Sequence, residues 1–296
     1  METIAAPKKI WSFVNASSKA GPVSNGDIRR DKGHAVNSYL ELVTKIAELQ
    51  FFNRDHLLLF RGQGKDRQNQ RKRTSLKPRL FRADCGKRGN PGPAVLKARL
   101  NRLRCGERLL VAGFDESKGL GRQRIGRQRI LRWSILQHYE VCDTPLLDVT
   151  HSLRIAASFA SLDAESYADH EAFVFVLAIP NLSGAITTSV ELGIQIVRLA
   201  SVCPPQALRP HIQEGYLIGE YPEMGDYDQQ SQYKPHEIDF GRRLVAKFRF
   251  DPRSFWKDKA FPKVHRRALY PESQDWLDVL AEKIRSQLSR PLMTCK

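Results

Sequence analysis

The 296 residues carry 48 Lys and Arg against 32 Asp and Glu, a net charge of +16, with an apolar fraction of 41%. That length and apolar content support a globular chain that buries a core without staples, as one large domain or two small ones. The charge attracts polyanions, nucleic acid first among them, and bears on partners rather than on fold.

Residues 1–33 are rich in Ser, Gly, Asn and Lys, with one apolar patch at Ile10-Trp11-Ser12-Phe13-Val14, and read as a flexible basic N-terminal arm that docks at most one turn. The start has no apolar core of signal-peptide length, and nowhere do eighteen uncharged apolar residues run together. A soluble protein of the reducing cytoplasm, without membrane partners, is expected. Cys85, Cys105, Cys142, Cys203 and Cys295 form no Cys-x-x-Cys pair and have no histidine at metal spacing, so neither a disulfide framework nor a metal site is indicated.

Order begins near Ser38, where Ser38-x-x-Glu41 reads as a capping box opening a helix with Tyr39, Leu40, Val43, Ile46 and Ala47 on one face. His56 to Phe60 is a short buried strand, ended by a turn at Gly62 and Gly64. The polar stretch from Gln63 to Arg79, with Arg71-Lys72-Arg73, reads as a mobile basic loop.

Residues 94–115 and 128–140 are helical by pattern. Between them lies a tandem duplication, Gly121-Arg-Gln-Arg-Ile125 and Gly126-Arg-Gln-Arg-Ile130, two copies being too few for a repeat architecture. Its Arg122, Arg124, Arg127 and Arg129, with Arg132, either grip phosphates or form a solvated helix face.

Ala172 to Ile179 is apolar throughout and closed by Pro180-Asn181, the mark of a central strand buried on both faces. Strands are expected at 194–199 and 216–218, and Leu244, Ala246, Phe248 and Phe250 alternate with Arg243, Lys247 and Arg249 as in a half-exposed strand. Trp276 to Leu288 is an amphipathic helix with Leu277, Leu280, Ile284 and Leu288 as its stripe. Helices cluster in the first half and strands in the second, which argues α+β.

Five elements in chain order carry a family resemblance. They are Phe60-Arg61-Gly62-Gln63; Leu76-Lys-Pro78-Arg-Leu-Phe81-Arg82; Leu136-Gln-His138-Tyr139 with Leu146-Leu147-Asp148-x-Thr150; Arg209-x-x-x-Gln213-x-Gly215; and Leu269-Tyr270-Pro271. On these motifs the chain resembles the FRG domain family, named for Phe-Arg-Gly, over residues 34–296. It departs from the family in Glu140, where glycine is usual, in Val149, where tryptophan is usual, and in a longer turn before Leu146.

The order of elements is similar to the three-motif plan of ADP-ribosyltransferases, a fold-level analogy. The resemblance implies a single α+β domain with a mixed or antiparallel sheet flanked by helices, and NAD+ as a consumed substrate split between nicotinamide and ribose. The acceptor is nucleic acid or water, and a toxin or anti-phage effector is the role such chemistry suits. Arg61, Gly62, Gln63, His138 and Tyr139 would hold the dinucleotide, and Arg61, Asp148, Thr150, Gln213 and Glu214 would serve the reaction. Arg71, Lys72, Arg73, Arg122, Arg124, Arg127 and Arg129 would touch nucleic acid.

Each assignment has a structural counterpart. Arg61 supplies a planar donor fork for phosphate or ribose, or a buried salt bridge with Asp148. Gly62 and Gly64 let backbone approach a ligand closely. Thr150 or Ser152 is an N-cap, or part of the site. His138 is a hydrogen-bonded scaffold residue or a ligand contact. As neighbours on a strand, Gln213 and Glu214 cannot both face the site, and the motif favours Gln213. No Gly-x-x-x-x-Gly-Lys-Ser/Thr loop and no Gly-x-Ser-x-Gly elbow is present. A non-catalytic module binding a nucleotide or a nucleic-acid end is the alternative function.

Overall fold

The computed structural model describes residues 10–14, 17–84, 89–167, 170–181, 183–205, 207–232, 238–271 and 275–289. Its strands are β1 (Ile10–Ser12), β2 (Gly21–Val23), β3 (His34–Ala35), β4 (His56–Gln63), β5 (Leu147–Thr150), β6 (Ala172–Pro180), β7 (Ile186–Ser189), β8 (Ile194–Arg198), β9 (Gly215–Glu220) and β10 (Leu244–Phe250). Eight form one sheet in the order β3-β10-β6-β4-β5-β9-β8-β7, and β1 pairs with β2. Within the large sheet only the β10–β3 ladder is parallel. The chain therefore has the α+β class with a mixed sheet expected of it.

Burial follows residue pattern. Ala172 to Ile179 is buried at every position because β6 lies between β10 and β4 with both faces covered. Alternation in the outer strands sorts side chains to two cores: Ile218 and Ile196 point to one, Leu217 and Val197 to the other. The first core also takes Leu42, Ile46 and Leu49 of the helix Tyr39–Phe52 and the alanines of the helix Leu153–Ser166. The second takes the helices Pro93–Glu116, Arg129–His138 and Trp276–Ser289.

One irregularity sets up the site. β4 pairs with β6 from His56 to Gln63, but with β5 only where Phe60 faces Thr150. Beyond that pair the sheet is open between β4 and β5, and backbone groups there are left for side chains to satisfy.

Several expectations are corrected. The arm assigned to residues 1–33 is built into the fold over its described part: Ile10, Phe13 and Ile28 are buried, and Asn25 donates to the Gly241 and Leu244 carbonyls at 3.1 and 2.9 Å. Residues 1–9 lie outside the described residues, as do Cys85 and Cys295. Ser38 does cap its helix, but Glu41 reaches back to the Asn37 amide, and the buried face is Tyr39, Leu42, Ile46 and Leu49, with Leu40 and Val43 exposed. β4 runs on through Gly62 instead of ending before it. Arg243 and Lys247, expected at a solvated face, are each 1% exposed.

Candidate active site

The open seam leads into a cavity of about 410 Å³. Arg61 and Gln63 line it from β4; Asp148 and Thr150 from β5; Gln137 and His138 from the end of the preceding helix; and Gln213 from the turn before β9. Arg67, Arg79 and Arg82 line it between β4 and the helix Pro93–Glu116, and Arg209, Arg266 and Tyr270 line it from later segments. Residues spread over more than 200 positions of sequence thus meet in one place.

Arg61 does not form the ion pair with the Asp148 carboxylate that stood as the alternative to a ligand contact. Its Nη1 donates to the Asp148 backbone carbonyl, a group the missing β4–β5 ladder leaves available. With the Gln63 amide turned to suit its neighbours, the amide oxygen accepts from Arg61 Nε at 2.9 Å and Nη2 at 3.2 Å. The Asp148 carboxylate instead accepts from Gln137 Nε2 at 2.6 Å, while Thr144 donates to the Gln137 oxygen at 2.6 Å. A hydrogen-bonded chain therefore fixes the carboxylate beside the guanidinium.

Positive charge dominates the Arg61 end. Burial draws the Arg82 guanidinium down to about 9, and the like charges of Arg61, Arg67 and Arg79 draw it the same way. Burial also lowers Arg61, against the pull of Asp148 and Asp163. Burial raises Asp148, opposed by Arg61 and by the Gln137 hydrogen bond. Guanidinium groups whose charge is disfavoured by burial and by like neighbours, as those of Arg61 and Arg82 are, are relieved by an anion carrying more than one charge.

The other end holds groups suited to a polar, ring-bearing ligand. Arg209 lies over the Tyr270 ring at 4.5 Å and pairs with Glu140 at 2.9 Å. Buried Gln213 donates from Nε2 to the Leu269 carbonyl at 2.8 Å, leaving its amide oxygen without a partner among the described residues. His138 is buried and held neutral, its ring drawn down to about 3 by burial and then by the Arg209 charge; it hydrogen-bonds the Arg209 backbone, and its Nε2 has no partner. A neutral ring that donates to a backbone carbonyl keeps a lone pair on the other nitrogen.

Several expected site residues have scaffold roles as well, Gly62 and Thr150 while also lining the cavity. Gly62 and Gly64 serve helix packing: a Cβ on Gly62 would overlap the Ala156 carbonyl and stand 2.7 Å from the Ala160 amide nitrogen, and one on Gly64 would stand 2.6 Å from the Ala164 nitrogen. The small residues of the helix Leu153–Ser166 are the matching surface. Thr150 donates to the Gln213 carbonyl at 2.8 Å and accepts from the Ser152 amide at 3.0 Å, tying the strand end to the turn. Ser152 is the N-cap residue, without a side-chain cap bond.

Tyr139 is fully buried and its hydroxyl donates to Asp275, so it belongs to the second core and not to the cavity wall. Gln213 and Glu214 are not on a strand: they form the turn before β9, Glu214 with φ of 45°. That turn sends Gln213 into the cavity and leaves Glu214 exposed and outside it.

The expected nucleic-acid contacts divide. Arg129 and Arg132 reach Glu107 at 3.4 and 3.1 Å, and Arg132 also donates to the Ile125 carbonyl at 2.8 Å, so both brace the helix packing. Arg122, Arg124 and Arg127 are exposed on the six-residue helix Arg122–Arg127. Arg71 and Lys72 are exposed and Arg73 half-buried, on a turn held by Asn69, whose Oδ1 accepts from the Arg71 and Arg73 amides at 3.0 and 3.1 Å.

Sequence reasoning gave no role to Arg67, Arg79, Arg82, Gln137, Arg209, Arg266 or Tyr270. The signal for five of them was present, since Arg79, Arg82, Gln137, Arg209 and Tyr270 stand inside the quoted motifs. No group of His, Cys, Asp and Glu among the described residues is placed to hold a metal ion, and no helix among them is long and apolar enough to cross a membrane. Compared with protein-family models, with curated proteins and with solved structures, the chain matches none.

Proposed function

We propose that this chain is an FRG-type, ADP-ribosyltransferase-like enzyme that binds NAD+ in the β4–β5 cavity and cleaves it between nicotinamide and ribose. The observation that carries the reading is the convergence, on one cavity, of residues from all five separated motifs with a basin of arginines. A pyrophosphate is the anion such a basin suits, and Arg61, Arg67, Arg79 and Arg82 would hold it.

Departure of nicotinamide leaves a cationic, oxocarbenium-like ribose. The Asp148 carboxylate, fixed by Gln137, is the negative group in the cavity best placed to face that cation, and a charge held ready in a half-buried site acts without reorganising. The free oxygen of Gln213 would accept from a ribose hydroxyl, and His138 Nε2 from a second donor. The acceptor is water or nucleic acid, the latter guided by the basic surface. Either outcome consumes a cofactor or marks a polymer that cells depend on, which suits a toxin or an anti-phage effector.

The second reading is a binding module. Two observations favour it: Glu214 lies outside the cavity, and the Gln213 amide is anchored to Leu269. Incubating the full chain with NAD+ and following nicotinamide release, with and without RNA, DNA or protein, separates the two. Release supports the enzyme, whereas ADP-ribose binding without turnover of NAD+ replaces it with the module.

A further inference from the structure

Lys247 sits on β10 with its ammonium buried, in a position that alternation assigns to solvent. Its Nζ donates to Asp66 Oδ2 at 2.7 Å and to Thr74 Oγ1 at 2.8 Å, and Thr74 Oγ1 donates to the same carboxylate at 3.0 Å. The loop between Gly64 and Leu76 is then held from its other side. Arg29 Nε donates to the Thr74 carbonyl at 2.8 Å and pairs with Asp239, whose Oδ1 accepts from the Leu76 amide at 2.8 Å.

Two cations and two carboxylates, drawn from the N-terminal segment, the loop, the turn before β10 and β10 itself, thus close on Thr74. A buried ion pair adds little net stability over an apolar core of equal volume, but it does fix geometry. What it fixes here is Arg67. That residue follows Asp66 directly, its carbonyl accepts from the Ser75 amide at 2.8 Å, and it lines the cavity.

We infer that Lys247, Asp66 and Thr74 form a positioning device that sets Arg67 against the anionic portion of the cavity ligand, so that anion affinity depends on a lysine outside the site. This rests on the phosphate-binding reading of the cavity. Lys247 would touch no ligand; it acts through Asp66 on the arginine.

The test measures binding of inorganic pyrophosphate and of ADP-ribose to the full chain, by calorimetry, in a double-mutant cycle. Lys247→Met keeps side-chain length and removes the charge. It is expected to weaken pyrophosphate binding about 5- to 10-fold, as Arg67→Ala does, and the double variant is expected to be no weaker than Arg67→Ala alone, because both changes remove one interaction. Thr74→Val, a smaller perturbation, gives the same pattern and decides the matter if Lys247→Met does not fold. Folded variants that bind pyrophosphate like the parent, or losses that multiply in the double variant, overturn the inference while leaving the cavity's function standing. Failure of the parent chain to bind either probe overturns the phosphate-binding reading itself, and this inference with it.

Discussion

At Arg61 the structural and functional readings turn out to be compatible, since one edge of the guanidinium satisfies a strand carbonyl and the group still lines the cavity. Lysine cannot serve both at once. Arg61→Lys should therefore lower nicotinamide release nearly as far as Arg61→Ala, while full turnover by the lysine variant would mean that charge alone is needed. Gln213 is expected to act mainly in the transition state, so Gln213→Ala should reduce turnover ~10²-fold with little change in dinucleotide affinity. Glu214→Ala, outside the cavity, should leave turnover unchanged; the reverse pattern would assign the role to Glu214.

His138 adds a pH test. Its ring is drawn from 6.5 to about 3 in the folded chain, so between those values the unfolded chain binds the extra proton. Stability from this group is complete above pH 6.5 and is lost as pH falls toward 3, with a slope approaching about 1.4 kcal/mol per pH unit. His138→Phe should flatten the acid side of the stability curve relative to the parent. Parallel curves for the two proteins between pH 4 and 6 would show that the ring is not held neutral.

Among the elements, the contact of β4 with the helix Leu153–Ser166 does most to shape the site. Gly62 meets the Ala156 and Ala160 backbone with no room for a methyl group, and because those atoms belong to a helix they cannot step aside. Gly62→Ala should cost about 3 kcal/mol by overpacking, lowering Tm by roughly 6–12 °C in thermal unfolding. A variant of unchanged Tm would return Gly62 to the role of a ligand-facing glycine. The glycine-alanine match was visible in the sequence as two separate signals, the Gly62/Gly64 pair and the run Ala156-Ala157-Ser158-Phe159-Ala160, but only adjacency in the fold makes them one.

For the whole molecule, the charge of +16 makes polyanion binding testable through salt. If nucleic acid is the acceptor, affinity should fall steeply with ionic strength, and neutralising Arg71 and Lys72, or Arg122, Arg124 and Arg127, should flatten that dependence. Arg129 and Arg132 are unsuitable for this test, because their removal leaves Glu107 without its partners. An unchanged slope in both sets of variants would make these residues solvated surface.

What the sequence determined by itself is what depends on local pattern. The all-apolar run gave β6, the 3.6-residue stripe gave the helix from Trp276, and Ser38 marked a helix start, because periodicity and capping act within a few residues. Where long-range partners decide, pattern was a poor guide. Lys247 alternates as if exposed yet is buried by Asp66 and Thr74, the stretch from Ser17 to Arg30 is mostly polar yet docked by Asn25 and Arg29, and Gln213 reaches the cavity through a turn that no strand periodicity describes. The arginine basin belongs to the same class. Arg61, Arg67, Arg79, Arg82 and Arg209 are ordinary charges one at a time, and only the opening of the sheet between β4 and β5 places them around a common space.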